Sequence, residues 1–348
     1  MDISVEKFPS PYGEVTFVKL TNAGGAWVRL SSIGAGVDSV VVPDRNGRLA
    51  DVALGYESPA DYFYDGPCAG KVPGRYANRI ANGRFTLDGH EYNLPINNGP
   101  NCNHGGPEGF QNKVWGVEIV GDSAVRFTLH SEDGDSGFPA NLEVVAEYTW
   151  TDDNRLTLRL HAESDAKTVV NLTNHTYWNL DGEGSGPVTD HLLRLNADLY
   201  FPTDPTLVPT GERASVASTP MDFREAKPFG RDMRVDFAAL EYGKGYDACW
   251  EIKGVADGSL RFAAELISEK SGRSLRVETT QPGVQVYGGN WLSGCPTGKN
   301  GHVYNDYDGI AIECQGIPDS PNKPQFPSQV VEPGRPYDQV IAFAFGVI

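Results

Sequence analysis

The chain has 348 residues, of which 39% are hydrophobic and 22% are charged, and this composition and length are typical of a globular protein with a sizeable core. Its formal charge is −17, from 29 basic and 46 acidic residues, which argues against nucleic acid or an anionic membrane surface as a partner. The sequence has no run of about 18 apolar residues, so no membrane-spanning helix is predicted.

The N-terminal residues and the cysteines bear on where the protein works. Residues 1–7 show no basic segment followed by an apolar core, so no signal peptide is predicted. The five cysteines are odd in number, scattered, and lack any CxxC spacing. We therefore expect free thiols and a cytoplasmic protein.

Strand patterns dominate the chain. They cover residues 14–22, 26–43 with an interruption at Gly34 and Gly36, 85–92, 115–120, 124–130, 142–150, 156–161, 260–269, 275–280 and 340–347. Asp88-Gly89 is the clearest hairpin turn, since a two-residue loop of this type requires positive φ. Helical patterns are short, at 58–63 and 236–241. The 40 glycines and 24 prolines punctuate the strands, which predicts an all-β fold, a large and mainly antiparallel β-sandwich, with residues 1–348 as a single domain.

Five long stretches carry little strand pattern. Loops of that length in a compact domain are usually functional. They are residues 68–82, 97–109, 181–189, 201–229 and 294–307.

The segment that follows the β-branched residues 168–170 predicts a strand with an unusual face. With a side-chain period of two, Asn171, Thr173, His175 and Tyr177 share one side of the strand. That side is too polar for a dry core and too aromatic for an ordinary wet surface, so it fits a cleft that binds a polar ligand such as a sugar. A lone histidine on a strand is often a satisfied core residue, but on this face His175 is a candidate general acid, because imidazole titrates near neutral pH.

Two later strands show the same division of faces. Gln285 and Tyr287 point one way within 279–291, opposite Val284 and Val286. Within 309–315, Glu313 lies on the side opposite the apolar residues. Partial burial would raise its pKa and make it a better base, although a surface ion pair is the competing interpretation. Together the three strands are consistent with one sheet that lines a cleft.

Three loops add further candidates. Asn78 and Arg79 lie in a glycine-bounded segment and could donate to sugar hydroxyls, or could bond loop carbonyls. His104 lies in a polar glycine-rich loop. Asp247 enters a predicted strand beside aromatic residues, where it could accept from a sugar hydroxyl or cap a turn. No HxH, HExxH, GxGxxG or P-loop spacing occurs, so neither a metal site nor a cofactor is predicted.

At this point the chain resembles the aldose 1-epimerase (galactose mutarotase) family. The resemblance rests on segments in the family's order: GRYANRI, NHGG, TNHTYWNL, the Asp247 segment with TTQPGVQVY, and IECQGIPDSPN followed by FP. It extends from about residue 14 to the C-terminus. The family's fold is a large sandwich of mainly antiparallel strands, the galactose mutarotase-like supersandwich, in agreement with the hairpin patterns.

The resemblance also implies roles for individual residues. His175 would be the proton donor and Glu313 the proton acceptor in the interconversion of α and β anomers of a free hexose such as galactose or glucose. Glu313 would work as the carboxylate and His175 as the imidazolium. The sugar-contacting residues would be Asn78, Arg79, His104, Tyr177, Asp247 and Gln285. The expected partner is a monosaccharide substrate, and the protein is expected to be a monomer or a homodimer.

Three alternatives stay open at this level. A hexose phosphate epimerase would need several basic residues at the cleft, for which Lys71, Arg75 and Arg79 are available. A carbohydrate-binding protein without catalysis would keep the aromatic residues but has no use for a paired acid and base. A glycosidase would need two carboxylates that flank the bond, for which Asp247 and Glu313 are candidates.

Overall fold

The computed structural model describes residues 1–348, and nearly all of its regular structure is β. In chain order the strands are β1 Asp2–Ser10, β2 Gly13–Thr21, β3 Trp27–Ser31, β4 Gly36–Pro43, β5 Leu49–Asp51, β6 Arg79–Ile80, β7 Arg84–Leu87, β8 His90–Asn93, β9 Cys102–Asn103, β10 Gly116–Val120, β11 Ala124–Ser131, β12 Leu142–Trp150, β13 Arg155–Ser164, β14 Thr168–Val169, β15 Tyr177–Trp178, β16 Leu192–Leu195, β17 Leu199–Phe201, β18 Ala214–Ser215, β19 Lys227–Pro228, β20 Asp247–Glu251, β21 Arg261–Ile267, β22 Arg273–Thr279, β23 Gly283–Tyr287, β24 Ile310–Gln315, β25 Val330–Val331 and β26 Tyr337–Val347.

The helices are short. The one α-helix is α1, Ala238–Gly243. The 3₁₀ turns are Pro59–Tyr62, Ala81–Gly83, Phe110–Asn112, Asp135–Gly137, Lys299–Gly301 and Ser320–Asn322. Both short helical patterns of the sequence therefore correspond to helical turns. None of the helices is long and apolar enough to cross a membrane.

Three antiparallel sheets carry most of the strands. A nine-stranded sheet has the order β10-β11-β12-β13-β26-β22-β21-β16-β19, a six-stranded sheet has the order β15-β24-β23-β20-β17-β18, and a five-stranded sheet runs β1 to β5. A cluster of 59 buried residues takes side chains from all three sheets and forms the main core. The predicted all-β sandwich is confirmed. The single domain stays a prediction, which this shared core supports.

The hairpins predicted from turn chemistry form as expected. Strands β7 and β8 pair around Asp88 and Gly89, which have φ values of 49° and 81°, the left-handed pair that a tight two-residue turn requires. Strands β10–β11, β12–β13 and β21–β22 also pair as antiparallel neighbours across short turns. Residues 26–43 divide into β3 and β4, with the connection at the predicted glycines. The mostly exposed strand β1 was not predicted.

The prediction of one continuous strand over residues 168–180 is wrong, since only β14 and β15 are regular strand there. Between these two strands, polar side chains form hydrogen bonds to the backbone of neighbouring segments. These bonds replace the regular backbone hydrogen bonds of a β-sheet. Asn171 Nδ2 donates to the Ala77 carbonyl, 3.1 Å away, and Asn171 Oδ1 accepts from the Gly316 amide at 2.8 Å. Thr173 Oγ1 donates to the Cys314 carbonyl at 2.8 Å. The irregular segment is thereby attached to the end of β24.

Candidate active site

One sheet carries the floor of the site. The pairing of β15 with β24 sets Tyr177 beside Ala311, and the pairing of β24 with β23 sets Glu313 beside Gln285. Strand β20 follows, with Asp247 beside Tyr287. Residues directly opposite each other in antiparallel strands point to the same face, so the polar faces of these strands meet on one side. The prediction of one sheet is confirmed for β23 and β24, whereas the segment of His175 joins that sheet only at β15, just after His175.

A cavity of about 730 Å³ opens on this face. Its size falls within the usual range for small-molecule sites. Seven of the eight predicted site residues line it: Asn78, Arg79, His104, His175, Tyr177, Asp247 and Glu313. Four of the five long irregular stretches also contribute to its wall, whereas residues 181–189 do not.

His175 and Glu313 meet at the base of the cavity. The distance from His175 Nε2 to Glu313 Oε1 is 3.5 Å, and the two residues are 4% and 2% exposed. The backbone of His175 is anchored on both sides, because its amide donates to the Lys71 carbonyl and its carbonyl accepts from the Gly70 amide. The strand β24 and the anchored segment 170–176 thus hold an imidazole and a carboxyl group face to face, shielded from solvent.

Burial determines the charge that each of these two groups prefers. It raises the pKa of the Glu313 carboxyl well above its usual value, and the negative Asp247 raises that pKa further, while Arg79 lowers it. Burial lowers the pKa of the His175 imidazole to about 4. Both effects favour the neutral forms in the free site, so the expected carboxylate and imidazolium are not the preferred forms there. The reason is desolvation, because a buried position at the base of the cavity disfavours both the negative charge of the carboxylate and the positive charge of the imidazolium.

Arg79, Asp247 and Gln285 form one connected group. Gln285 Nε2 donates to Asp247 Oδ1 at 2.6 Å, and Arg79 Nη2 lies 3.4 Å from Asp247 Oδ2. Arg79 Nε donates to Asn98 Oδ1 at 3.0 Å, which fixes the guanidinium from the other side. Gln285 is 3% exposed and does not line the cavity, so its contact is with Asp247 rather than with the cavity itself.

His104 faces the cavity as a hydrogen-bond donor. Its Nδ1 accepts from the Asn78 amide at 3.1 Å, so in the neutral ring the proton is on Nε2. Burial lowers the pKa of His104 well below its usual value, and the neighbouring His175 lowers it further, which keeps the ring neutral. Its ring packs edge to face against that of His175, with centroids 5.4 Å apart.

The other two basic residues considered for a phosphate lie outside the cavity. Lys71 is fully buried, and its ammonium is 2.6 Å from Asp65 Oδ1 and 2.6 Å from the Tyr62 carbonyl. Arg75 donates to the carbonyls of Pro139 and Ala140 at 2.6 and 2.9 Å. Of the three, only Arg79 lines the cavity, and its charge is paired with that of Asp247.

Several lining residues were not among the predicted site residues. Asp65 and Asn98 come from the surrounding loops, and nothing in their local pattern distinguished them. Tyr287 shares the face of Gln285, so the alternation of β23 already indicated it. Trp291 stands at the mouth and is 64% exposed, with the Lys244 ammonium 4.3 Å from its ring centroid.

One cysteine reaches the cavity. Cys102 precedes the polar loop that carries His104, but it is buried in β9 and does not line the cavity. Cys295 lines it instead, from the loop after Trp291. All five cysteines are free thiols. No group of three or more His, Cys, Asp or Glu side chains is arranged to hold a metal ion.

The chain is similar to known proteins over most of its length. The family described as aldose 1-epimerase matches residues 16–344. Human galactose mutarotase is 41% identical over 320 residues, covering 92% of this chain and 91% of the relative. The aldose 1-epimerase of Escherichia coli K12 is 39% identical over 337 residues, covering 96% of this chain and 95% of the relative.

Solved structures show the same fold. An aldose epimerase homologue from C. elegans superposes with a TM-score of 0.88 at 33% identity, covering 95% of this chain and 99% of that one. A galactose 1-epimerase from Lactobacillus acidophilus superposes with a TM-score of 0.85 at 29% identity, covering 99% of both chains. The chain therefore belongs to the aldose 1-epimerase family.

Proposed function

We propose that Glu313 and His175 are the base and the acid with which this aldose 1-epimerase interconverts the α and β anomers of a free hexose. Opening the cyclic hemiacetal requires that a proton leave O1 and that a proton reach the ring oxygen. Rotation about the C1–C2 bond and closure on the other face then give the second anomer. Glu313 takes the O1 proton, His175 gives a proton to the ring oxygen, and the roles reverse on closing.

The observation that carries this proposal is the pair itself. The imidazole and the carboxyl are 3.5 Å apart at the base of a cavity whose walls carry hydrogen-bonding groups. A base and an acid that must act on two oxygens attached to the same carbon need this proximity. The two side chains are almost completely buried, which limits the access of solvent water to them.

The ionisation of the pair suits the opened sugar. Before opening, the mechanism needs a Glu313 carboxylate and a His175 imidazolium. After opening, the pair still holds one proton in total, but it is now a carboxylic acid and a neutral imidazole. Because burial favours these neutral forms, it lowers the free energy of the ring-opened state relative to the state before opening. Burial therefore supports ring opening as well as shielding it.

The remaining predicted residues bind the sugar or support the residues that do. Arg79, His104 Nε2 and the side-chain amide of Asn78 are donors to hydroxyl oxygens, and Asp247 is an acceptor for hydroxyl protons. Gln285 acts on the sugar through Asp247, whose orientation it holds. Tyr177 Oη donates to the Pro67 carbonyl at 2.9 Å, so its ring is held as part of the cavity wall.

A free sugar fits the charges of the cavity better than a phosphate ester does. A dianionic group would meet Asp65, Asp247 and Glu313, with Arg79 as the cation of the wall, already paired. No cation of the wall is left free to balance the two negative charges of a phosphate. A glycosidase reaction is likewise less well supported, because Asp247 is engaged by Arg79 and Gln285 and the group opposite Glu313 is a histidine.

Polarimetry of freshly dissolved α-D-glucose and α-D-galactose tests the reaction. We expect the protein to speed the approach to equilibrium without changing the final rotation, and the ratio of the two rates ranks the sugars. Pentoses and hexose phosphates are measured under the same conditions. Acceleration of a phosphate alone, or of no sugar at all, would contradict a free hexose as the substrate.

Removing either member of the Arg79–Asp247 pair should weaken sugar binding. Hydrogen bonds to charged groups contribute about 1.5–3 kcal/mol, so we expect Arg79→Ala and Asp247→Asn to lower the affinity for galactose roughly 10-fold to 100-fold. Calorimetric titration of each variant measures this directly. Arg276→Ala, on the far nine-stranded sheet, is the matched control and should bind as the unaltered protein does. An unchanged affinity in both cavity variants would refute their role.

The same two variants should move the pH profile in opposite directions. The profile of kcat/KM should fall on the acid side as His175 gains a proton, near its pKa of about 4, and on the basic side as the pair loses its one proton. Asp247 raises the pKa of Glu313 and Arg79 lowers it. Asp247→Asn should therefore move the basic limb to lower pH, and Arg79→Ala should move it to higher pH. The profiles are corrected for spontaneous mutarotation, and shifts in the same direction would contradict this electrostatic account.

The compartment and the assembly of the protein are also matters of proposal. The cytoplasm is supported by five cysteines that form no disulfide in the structure. The monomer or homodimer of the sequence analysis stays a prediction, which sedimentation measurements would decide.

A further inference from the structure

Gln315 is a buried polar residue that the proposed mechanism does not use. It follows Glu313 by two positions on β24 and is completely buried. Neither its Oε1 nor its Nε2 has a hydrogen-bond partner in the protein, and the same is true of Glu313 Oε2. An amide enclosed without partners is costly, so native proteins rarely leave one in that state.

The geometry of the strand brings these unpartnered atoms to the same side. Residues two apart on a strand project from one face, with a separation of about 6.6 Å along the chain. The two side chains do not bond to each other in their observed positions, and a backbone separation of this size can accommodate one water molecule between them. Gly283 stands opposite Gln315 on β23, and a Cβ there would lie 2.8 Å from Ile317 Cδ1 and 3.0 Å from Cys249 Sγ, so that side offers the carboxamide only apolar neighbours and no hydrogen-bond partner.

The backbone around Gln315 is already occupied. Thr173 bonds to the carbonyl of Cys314, and Asn171 bonds to both the amide and the carbonyl of Gly316. These contacts hold the end of β24 in place on both sides of Gln315. The carboxamide therefore sits in a rigid frame whose neighbouring backbone groups are engaged with other partners.

We propose that Gln315 is a positioning residue for the catalytic base, and that its carboxamide holds the Glu313 carboxyl through one buried water molecule bound to Oε2. This inference rests on the proposed role of Glu313. The water bonds to Glu313 Oε2 and to the Gln315 side chain, and so leaves Oε1 directed at His175 and the sugar. Buried waters typically make about three such bonds to groups that lack protein partners.

The bridge has a functional consequence. A hydrogen bond to the carboxylate stabilises its charged form, the form that must accept the O1 proton. It also restricts rotation of the carboxyl group about its last torsion.

Other charged or titratable groups also act on Glu313 from the surrounding elements. They are His175, Tyr177, Asp247, Arg79, Cys249, Cys314 and Cys68. All of them are unchanged in the variants below.

Gln315→Met tests the proposal, because methionine keeps the length of the side chain and removes its hydrogen bonds. We expect kcat to fall about 10-fold with KM changed less than about twofold, since the lost bond acts on the base rather than on sugar contacts. The basic limb of the kcat/KM profile should move to higher pH. Gln315→Glu should move that limb further, because it places a second carboxyl on the same face.

Thr173→Val is the matched control. It removes a buried hydrogen bond to the same end of β24, and Thr173 does not line the cavity. We expect a lower melting temperature and an unchanged pH profile. A folded Gln315→Met protein with the kcat and the pH profile of the unaltered protein would overturn the inference, and so would a Thr173→Val profile that shifts to the same extent.

A crystal structure of the unaltered protein gives a second test that does not depend on any variant folding. Density for a water within hydrogen-bond distance of Glu313 Oε2 and of the Gln315 amide supports the bridge. The absence of that density would overturn it. Failure of the base assignment itself is seen separately, as retained turnover in Glu313→Gln. Loss of turnover there with an unaffected Gln315→Met would reject the bridge alone.

Discussion

Glu313→Gln should lower kcat at least ~100-fold while the protein stays folded. General base assistance is typically worth about 10²–10⁴-fold in rate, and an amide cannot take the proton from O1. The fold should persist because glutamine has nearly the same shape, and because burial already favours the uncharged form of this side chain. Polarimetric assays with galactose measure kcat, and thermal unfolding measures stability.

Glu278→Gln is the matched control for this loss. Glu278 lies on β22 in the nine-stranded sheet, where it pairs with Arg155 at 2.9 Å, and it does not line the cavity. The same change from carboxylate to amide at that position should leave kcat unaltered. Unaltered kcat in a purified and folded Glu313→Gln protein would rule out Glu313 as the base.

His175→Asn should also lower kcat, by at least ~100-fold, since asparagine cannot deliver a proton to the ring oxygen. The side chain is at the cavity floor, 3.5 Å from Glu313 Oε1, so the substitution removes the acid without opening the main core. KM should change less than kcat, because the sugar contacts of Arg79, Asp247 and His104 remain. Steady-state kinetics on galactose separates the two parameters.

His191→Asn is the control for the loss of a buried histidine. Burial lowers the pKa of His191 to about 4, as it does for His175, and its Nε2 accepts from the Leu180 amide at 3.0 Å. It lies outside the cavity. We expect a lower melting temperature with kcat preserved. Equal losses of kcat at the two positions would show that the effect of His175→Asn is structural rather than chemical.

Local pattern was sufficient for most of the strands. Turns such as Asp88-Gly89 require a backbone conformation that few residues adopt, so the hairpins around them could be identified from neighbouring residues alone. The period of two on β23 and β24 also separated Val284 and Ile312, which enter the core, from Glu313 and Tyr287, which face the cavity. Such alternation is local information, because it follows from the geometry of an extended chain.

The segment around His175 shows where local pattern was insufficient. Alternation identified His175 and Tyr177 as cavity residues, but it also assigned Asn171 and Thr173 to the same exposed face. In the fold those two side chains bond to the backbone of Gly316 and Cys314, which are more than 140 positions away in the chain. No pattern within the segment contains that information. The result is an irregular anchored stretch in place of a strand.

The charges of the site depended on tertiary structure in the same way. The sequence indicated an acid and a base and led to an expectation of opposite charges. How strongly each group is desolvated depends on the sheets and loops that close over it, and burial favours the neutral form of both. The positions of the three basic residues were decided in the same way. Lys71 pairs with Asp65 and Arg75 bonds to loop carbonyls, so neither lines the cavity. Arg79 pairs with Asp247 and does line it.

By itself the sequence determined the all-β class, the main hairpins, the acid–base candidates and the family resemblance, because each of these rests on residue spacing along a short stretch of chain. Only the tertiary structure decided that β15, β24, β23 and β20 stand side by side, that Gln285 lies behind Asp247, and that Cys295 rather than Cys102 lines the cavity. Those features depend on contacts between distant segments and on the exclusion of water, which residue spacing does not encode.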